Sequence, residues 1–531
     1  MGAVALAVVG LSLVPVHQAG AATGPQDGHV YALTAAHSGK NAQVQSASSA
    51  NAVNVVQDAP SGDPTQLWQA VAHGGGSFSL VNINSGKCAD VSGASTSAGA
   101  QVVQWPCTGD GNQRWTFNGS AIVSVNSGMC LDVSGSATAD GAPLVQWPCN
   151  SNGNQQWSLT ERPRVASFGP GMAAGGDTFS EQTLRMVVHP SAAGSGVRIR
   201  LSNLRSSTAL LVGAVDAAVR SGGAAAVPGT HRTVTFGGSG SLTIAAGAEL
   251  TSDVIPMSVT AGQDLLVSLY LPGRTGASTF HRDAFQTSYR SAAGSGNHTG
   301  DDAGTTFTTS MWSWYCVSGV DVVPSAVTTG TVVAFGDSIT DGYNTTTDAN
   351  RRWPDRLAAR LQSASGGPRL AVADAGMSGN MVLRATGWDP QGPAAVDRFA
   401  HDALGQPGVR DVIFMEGIND INGTPSLTAD RLINGYKNII AQAHAAGVRI
   451  IGGTMLPNST QTSGLAGIRV TVNNWIRTSG AFDAAVDFDA VIRDPDNPAQ
   501  MLPAYDSGDH LHPNDVGMQA MANAVDLSTL R

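Results

Sequence analysis

The sequence predicts a multidomain protein that joins a repeat-built β domain, a β-sandwich and an α/β domain with a parallel sheet. Three observations support this prediction: a segment near the front recurs at an offset of 42 residues, short alternating strands fill the middle, and strands alternate with helices at the end. A chain of 531 residues is too long for one ordinary core. We place the three domains at 27–160, 164–323 and 329–531.

The composition is that of a folded protein. Apolar residues make up 42% of the chain, and charged residues make up 13%, about half of the usual ~25%. The 64 glycines favour a structure rich in strands and loops. The net charge of −10 offers no basic surface for nucleic acid or for an anionic membrane, so neither is an expected partner.

Residues 1–21 are interpreted as a signal peptide. The apolar run from Ala3 to Val16 is short for a membrane span, and Ala19-Gly20-Ala21 fits an A-x-A cleavage site. A buried N-terminal helix is the alternative. No other apolar stretch approaches the ~20 residues that a spanning helix needs. We therefore expect a secreted, extracellular protein without a membrane span.

The repeat is clearest between residues 86–115 and 128–157, which have nearly the same sequence. A weaker copy precedes them at 39–44 and 65–68. Units this short cannot bury a face alone, so they should pack on one another. Their alternating pattern and their Gly, Asn and Ser turns predict short strands.

Four of the five cysteines lie in the two clear repeats. Cys88 and Cys107 are 19 positions apart, and so are Cys130 and Cys149, which predicts one disulfide in each repeat. Disulfides persist outside the cytosol, in agreement with export. The remaining Cys316 has apolar neighbours, so we expect a buried, unreactive thiol.

These repeats resemble the ricin-type β-trefoil lectin family, whose Gln-x-Trp signature occurs at 66–68, 113–115 and 155–157. The tryptophans of that signature are expected in the core. In the family, an Asp, an aromatic ring fifteen residues later and an Asn/Gln pair bind a sugar through charged hydrogen bonds and ring stacking. The resemblance implies two sites, formed by Asp90, Trp105, Asn112 and Gln113, and by Asp132, Trp147, Asn154 and Gln155.

The first repeat departs from this pattern. Gln43 stands where the Asp should be, Asp58 stands where the Trp should be, and both cysteines are missing. We expect this copy to close the trefoil without binding sugar.

The middle segment predicts a β-sandwich, because short β-rich stretches are separated by turn residues. The predicted strands lie within 184–190, 197–203, 233–238, 241–247 and 264–272. His189, His231 and His281 lack metal-ligand spacing, so we expect them at the surface or in hydrogen bonds.

From about residue 329, apolar strands alternate with amphipathic helices, which predicts a parallel sheet covered on both faces. Function in such sheets lies at the carboxyl ends of the strands. Polar blocks follow the predicted strands there, at 336–338, 376–380 and 417–420.

A fourth polar block, at 505–517, contains Asp509 and His512. A carboxylate can orient an imidazole that deprotonates a hydroxyl, and Ser338 supplies that hydroxyl. The backbone N–H groups of Ser338 and Gly379 and the side-chain amide of Asn419 are suitable donors for an oxyanion. The alternative, a metal site within residues 506–515, lacks a second matching cluster.

The four blocks, in this order, resemble the SGNH hydrolases, also called GDSL esterases and lipases. The resemblance implies a three-layer, flavodoxin-like α/β fold. It also implies Ser338 as nucleophile, His512 as base, Asp509 as its partner, and Ser338, Gly379 and Asn419 as the oxyanion hole. Neither a cofactor nor a metal is expected.

Taken together, the sequence predicts a secreted, monomeric serine esterase that forms an acyl-enzyme. Its expected partners are an ester substrate and a carbohydrate polymer held by the lectin domain, and removal of acetyl groups from that polymer is the predicted reaction. A lipase or aryl-esterase is one alternative, and a carbohydrate-binding protein with an inactive hydrolase domain is the other.

Overall fold

The computed structural model describes residues 24–324, 328–364, 369–384 and 391–531. The predicted signal peptide, residues 1–21, lies outside them. Within these ranges, none of the helices combines the length and the apolar content needed to cross a bilayer.

The N-terminal region is an antiparallel β domain of twelve strands among the described residues. The last strand pairs back onto the first, with Tyr31 opposite Glu161, which closes the domain. The predicted trefoil of short strands is confirmed. The strands are β1 (Val30–Ala35), β2 (Asn41–Val44), β3 (Val53–Asp58), β4 (Leu67–Ala72), β5 (Ser77–Asn82), β6 (Cys88–Val91), β7 (Val102–Trp105), β8 (Trp115–Asn118), β9 (Ala121–Ser124), β10 (Cys130–Val133), β11 (Leu144–Trp147) and β12 (Trp157–Glu161).

Three tryptophans form the centre of this domain. Trp68, Trp115 and Trp157 are at most 2% exposed. Each indole N–H donates to a carbonyl 26 residues earlier in the chain. The expected core role of the Gln-x-Trp tryptophans is therefore confirmed, and the threefold regularity of the repeat is visible in its hydrogen bonds.

The middle region contains two large antiparallel sheets, of five and seven strands. Alternate residues of both sheets, such as Leu184 and Met186 on one and Val197 and Ile199 on the other, share one core. The predicted β-sandwich is confirmed. Its strands are β13 (Val165–Phe168), β14 (Ala173–Gly176), β15 (Gln182–Val188), β16 (Gly194–Ser202), β17 (Leu210–Val212), β18 (Ala214–Gly222), β19 (Ala225–Ala226), β20 (Arg232–Thr233), β21 (Leu242–Ile244), β22 (Glu249–Thr251), β23 (Ile255–Val259), β24 (Leu265–Leu271), β25 (Ser278–His281), β26 (Ser288–Arg290), β27 (Thr309–Met311), β28 (Trp314–Tyr315) and β29 (Val317–Pro324).

One predicted sandwich strand, within 233–238, is wrong beyond Thr233, where β20 ends. The chain turns instead, because the Asp253 carboxylate accepts hydrogen bonds from the backbone N–H groups of Gly237 and Gly238. Cys316 is 1% exposed, and burial raises the pKa of its thiol to about 12, as expected for an unreactive cysteine.

The C-terminal region has a five-stranded parallel sheet. Its strands are β30 (Thr328–Gly336), β31 (Arg369–Gly376), β32 (Val409–Met415), β33 (Arg449–Gly453) and β34 (Ala484–Val486), in the order β31-β30-β32-β33-β34. This is the flavodoxin-like order, and the strand order reverses at β30. The predicted fold class is therefore confirmed.

Helices cover both faces of this sheet. Val333 and Phe335 of β30 pack into one apolar cluster, and Val332 and Ala334 pack into the other, so the strand is buried on both sides. The helices are α1 (Ser338–Asp341), α2 (Trp353–Ser363), α3 (Ala395–Phe399), α4 (Ile418–Gly423), α5 (Ala429–Ala445), α6 (Ser463–Thr478), α7 (Phe488–Ile492) and α8 (Asp515–Ala524).

The sandwich contacts both of its neighbours. Arg198 donates to the Gly28 carbonyl of the lectin region at 2.6 Å. On the other side, the Asp348 carboxylate of the α/β region accepts hydrogen bonds from Gln286 and Thr287. The sandwich thus brings side chains directly to the domain that carries the candidate catalytic residues.

Candidate active site

The candidate nucleophile lies where β30 ends, the strand at which the order of the parallel sheet reverses. β30 ends at Gly336, and Ser338 begins α1. The Asp337 side chain accepts a hydrogen bond from the Ile339 N–H and so caps this short helix. Burial raises the pKa of the Asp337 carboxyl to about 7. Ser338 therefore lies at the topological switch point, where ligands bind in open α/β sheets.

Ser338 belongs to a chain of three hydrogen-bonded side chains. Its Oγ lies 2.7 Å from Nε2 of His512, and Nδ1 of that ring lies 2.6 Å from Oδ2 of Asp509. A carboxylate only accepts, so Nδ1 carries the proton and Nε2 is left to accept from the serine hydroxyl. This arrangement can transfer a proton from Ser338 to His512.

The Asp509 carboxylate is held in its ionised form. Burial would raise its pKa, but hydrogen bonds from the backbone N–H and the ring of His512 outweigh burial and lower the pKa. Asn344 also donates to Oδ2 of Asp509, at 2.9 Å. The Tyr343 ring packs 4.6 Å from the His512 ring, centroid to centroid. We call the hydrogen-bonded chain Ser338–His512–Asp509 the relay. The loop after Ser338 thus contacts the other two residues of the relay, His512 and Asp509.

A tight turn presents Gly379 beside the second strand of the sheet. The Asn380 N–H donates to the Met377 carbonyl, and Gly379 has a φ of +82°, which is the signature of a type II turn. The positive φ favours glycine at this position, and a Cβ would also displace the Gln391 side-chain amide, from which it would lie 2.3 Å. The Asn419 side chain donates to the Asn380 carbonyl at 2.9 Å. Gly379 and Asn419, two of the three predicted oxyanion donors, are therefore linked through Asn380.

A buried arginine joins this turn to the nucleophile strand. Arg398 is fully buried, and its guanidinium donates to the Gly336 carbonyl at 2.9 Å and to the Asn380 side chain at 2.8 Å. Glu416 lies 3.6 Å from the same guanidinium, and burial raises its pKa well above the ordinary value. Arg398 thus fixes the spacing between the end of β30 and the turn.

The other charged side chains of the fourth block lie outside the relay. His510 is bonded to Asp506 at 2.7 Å. Asp515 accepts hydrogen bonds from Thr346 and Arg351. Each of these acids has a protein partner of its own. The described residues contain no group of three or more His, Cys, Asp or Glu side chains that could hold a metal ion.

The second lectin repeat forms a pocket where the sequence predicts one. Asp90 is 5% exposed, and its Oδ2 accepts from Asn112 at 2.9 Å and from Gln113 at 2.8 Å. Burial raises the pKa of this carboxyl, although both amides oppose the shift. Trp105 is 42% exposed on the wall of a cavity of about 420 Å³. A buried acid beside an exposed ring is what a sugar needs for hydrogen bonding and stacking.

The third repeat reproduces this arrangement. Oδ2 of Asp132 accepts from Asn154 at 2.9 Å and from Gln155 at 2.8 Å, and Trp147 is 46% exposed. A disulfide joins Cys130 to Cys149. In the second repeat, the corresponding disulfide joins cysteines 88 and 107. Both predicted disulfides are thus present.

In the first repeat, the equivalent side chains bond to one another. Gln43 donates to Asp58 at 3.2 Å and accepts from Gln66 at 2.7 Å. No acid stands at the position of Asp90, and no ring stands at the position of Trp105.

Sequence reasoning missed the supporting residues Asn344 and Arg398. It also missed His281 and Arg282, which contact Asp341 and the Ser378 carbonyl beside the site. Asn344 lies six positions after Ser338, in the same polar stretch, and that proximity is the one signal the sequence offered. The histidine and the two arginines reach the site from distant segments.

Comparison with known proteins agrees with both resemblances. Residues 334–520 match the GDSL-like lipase/acylhydrolase family. Residues 29–164 match the ricin-type β-trefoil lectin domain. No curated protein matches the chain. The two family matches support an esterase- or lipase-type hydrolase that also binds carbohydrate.

Solved structures are similar to separate parts of the chain. A designed threefold-symmetric protein is 41% identical over 25% of this chain and 99% of its own, with a TM-score of 0.24. An exo-β-1,3-galactanase from Clostridium thermocellum is 34% identical over 25% of this chain and 30% of its own, with a TM-score of 0.25. A member of the lipolytic G-D-S-L family from Veillonella parvula is 23% identical over 36% of this chain and 94% of its own, with a TM-score of 0.29.

Proposed function

We propose that this protein is a secreted serine esterase that removes small acyl groups, such as acetyl, from a polysaccharide bound by its lectin domain. The observation that carries the proposal is the continuous hydrogen-bonded relay from Ser338 through His512 to Asp509. The relay lies at the carboxyl end of β30, beside the turn that holds Gly379. We assign the functional domains to 27–160, 164–323 and 329–531, after a signal peptide at 1–21.

The reaction proceeds through an acyl-enzyme. The Ser338 oxygen attacks the ester carbonyl carbon while its proton moves to Nε2 of His512, and Asp509 stabilises the imidazolium that forms. The tetrahedral oxyanion accepts hydrogen bonds from the N–H groups of Ser338 and Gly379 and from the Asn419 amide. His512 then returns the proton to the departing alkoxide of the sugar.

Hydrolysis of the acyl-enzyme repeats these steps with water. His512 takes a proton from the water, whose oxygen attacks the acyl carbon, and the proton then returns to Ser338 as the acid leaves. The base must be unprotonated to begin either half, so activity should rise from acid towards neutral pH.

The two pockets at Asp90 and Asp132 support a polysaccharide as the bound polymer. Tethering raises the local concentration of ester groups without changing the chemistry. The two disulfides in this domain favour a location outside the cytosol.

Acetate release from a panel of native acetylated polysaccharides tests the proposal. We expect release by the wild type and none by Ser338→Ala, and slower release from insoluble polymer by a Trp105→Ala/Trp147→Ala variant. Hydrolysis of p-nitrophenyl or lipid esters alone would favour the aryl-esterase or lipase alternative. Polymer binding without hydrolysis of any ester would favour a lectin with an inactive hydrolase domain.

A further inference from the structure

Two consecutive residues of the sandwich domain reach the turn that carries Gly379. His281 ends β25, and Arg282 follows it. The His281 ring lies 3.0 Å from Asp341 of α1, and the Arg282 guanidinium donates to the Ser378 carbonyl at 3.3 Å. Both contacts cross from the sandwich to the α/β domain.

The Arg282 contact fixes the peptide that contains the predicted oxyanion donor. The carbonyl of Ser378 and the N–H of Gly379 belong to the same planar peptide unit and point in opposite directions. Holding the carbonyl therefore sets the direction of the N–H. In a tight turn, this central peptide is the one whose rotation distinguishes type I from type II, so without an anchor it is the part of the turn free to rotate.

The His281 contact holds the preceding peptide. Oδ2 of Asp341 accepts from the Ser378 N–H at 2.9 Å and from the Ser378 hydroxyl at 2.6 Å. Oδ1 of Asp341 faces Nε2 of His281, and Nδ1 of His281 faces the Gly171 carbonyl at 2.9 Å. Both ring nitrogens face oxygen acceptors, so the ring is protonated on both and pairs with the carboxylate as a buried ion pair.

We infer that the sandwich domain completes the oxyanion hole: Arg282 directly, and His281 through Asp341, aim the Gly379 N–H at the transition state. This inference rests on the proposed esterase function. It gives the sandwich a part in catalysis as a source of positioning residues. The same guanidinium is held by the Asp283 carboxylate, to which its Nε donates at 2.8 Å, so Asp283 sets the position from which Arg282 reaches the Ser378 carbonyl.

The test compares variants of the full-length protein on p-nitrophenyl acetate, with active sites counted by fluorophosphonate titration. Arg282→Met removes the anchor, and Arg282→Lys keeps one donor. Arg200→Met is the matched control, because Arg200 also crosses from the sandwich to the α/β domain, where it donates to Gln406 at 2.6 Å. A trifluoromethyl ketone serves as the probe of the oxyanion hole, since its adduct with Ser338 carries an oxyanion.

We expect Arg282→Met to lower kcat per active site by roughly 10- to 100-fold, with KM within about twofold, because one donor is misdirected rather than removed. The Ki of the ketone should rise by a similar factor, and Arg282→Lys should recover part of both losses. Arg200→Met should lower Tm without changing kcat per active site. His281→Gln should act in the same direction as Arg282→Met.

Three results would overturn the inference: wild-type kcat in Arg282→Met, an unchanged ketone Ki beside a reduced kcat, or an equal kcat loss in Arg200→Met. If Arg282→Met does not fold, Arg282→Lys and His281→Gln decide by the same measurements. Ser338→Ala separates the two claims. Full activity in that variant defeats the proposed function, whereas its inactivity beside an unaffected Arg282→Met defeats only the positioning role.

Discussion

Each candidate sugar pocket is formed by one short segment of the chain, whereas the candidate catalytic relay joins segments that are far apart in the sequence. Each pocket is local: Asp90 and Gln113 are 23 residues apart, and the disulfide between Cys88 and Cys107 overlaps that stretch. The relay joins Ser338 to His512 across 174 residues, and the helix α1 and the turn beside it receive contacts from the sandwich. A local site can be copied by repeating one segment, and one copy can change, as at Gln43 and Asp58 in the first repeat, while the other copies keep their contacts. The described residues contain one such relay, so each of its parts should matter more.

The strongest test of this contrast replaces Asp509 with Asn. An amide at this position can donate to Nδ1 of His512, which would leave the proton on Nε2 and remove the base. We expect kcat to fall by roughly 10³- to 10⁴-fold on p-nitrophenyl acetate, with KM little changed. Asp506→Asn is the matched control, because Asp506 holds the neighbouring His510 in the same way. Equal losses in the two variants would contradict the assignment of the relay.

Removing one lectin disulfide should have a large effect that stays local. Cys130→Ser/Cys149→Ser opens a loop of 19 residues, which should cost the lectin domain about 3 kcal/mol of unfolding free energy. We expect a lower denaturation midpoint for this domain and weaker retention on polysaccharide, with unchanged turnover of p-nitrophenyl acetate. A parallel loss of turnover would show that the lectin and the catalytic domain fold as one unit.

Substitutions of one residue at a time should show that the second and third repeats bind the polymer and that the first does not. Trp105→Ala and Trp147→Ala should each weaken binding to the polymer by about tenfold, the value of one stacking contact. Asp58→Ala changes the equivalent position of the first repeat and should leave affinity unchanged. Isothermal titration with soluble fragments of the polymer measures all three, and a loss in Asp58→Ala would mean that the first repeat also binds.

The smallest expected effect concerns an ion pair between the sandwich and the α/β domain. Hydrogen bonds with Asp402 and Glu249 raise the pKa of His401 to about 10. Burial would raise the pKa of Glu249, but the hydrogen bonds from His401 and Ser202, together with the charges of His401 and Arg200, outweigh burial and lower the pKa to about 2. Folding raises the pKa of His401 above the ~6.5 of an unfolded histidine, so its stabilisation is complete below that pH and is lost as pH rises towards 10.

The His401 ring is 41% exposed, so this contribution should not exceed about 1 kcal/mol. We expect His401→Gln to lower the free energy of unfolding at pH 6 and to match the wild type above pH 10. Urea denaturation at both pH values gives the difference. A gap that is constant with pH would mean that His401 acts through packing alone.

The sequence predicted the folds and the relay because each corresponds to a regular pattern of residues in the sequence. Continuous apolar runs that end in glycine place Ser338 and Gly379 at one edge of the sheet, and the spacing of Asp509 and His512 suits a carboxylate and its ring. No such pattern in the sequence indicated a role for His281 and Arg282. They lie in an ordinary sandwich strand and the turn after it, and their partners are 60 and 96 residues away in another domain.

The pairing of β12 with β1 has a consequence for how this architecture could change over time. Because the opening and closing strands of the trefoil are neighbours, the polypeptide departs close to where it entered. Both ends of the lectin domain therefore lie on the same side of it. Exchanging it for a binder of another polymer would change contacts with the sandwich, such as that of Arg198 with Gly28, but would require no change in the catalytic residues.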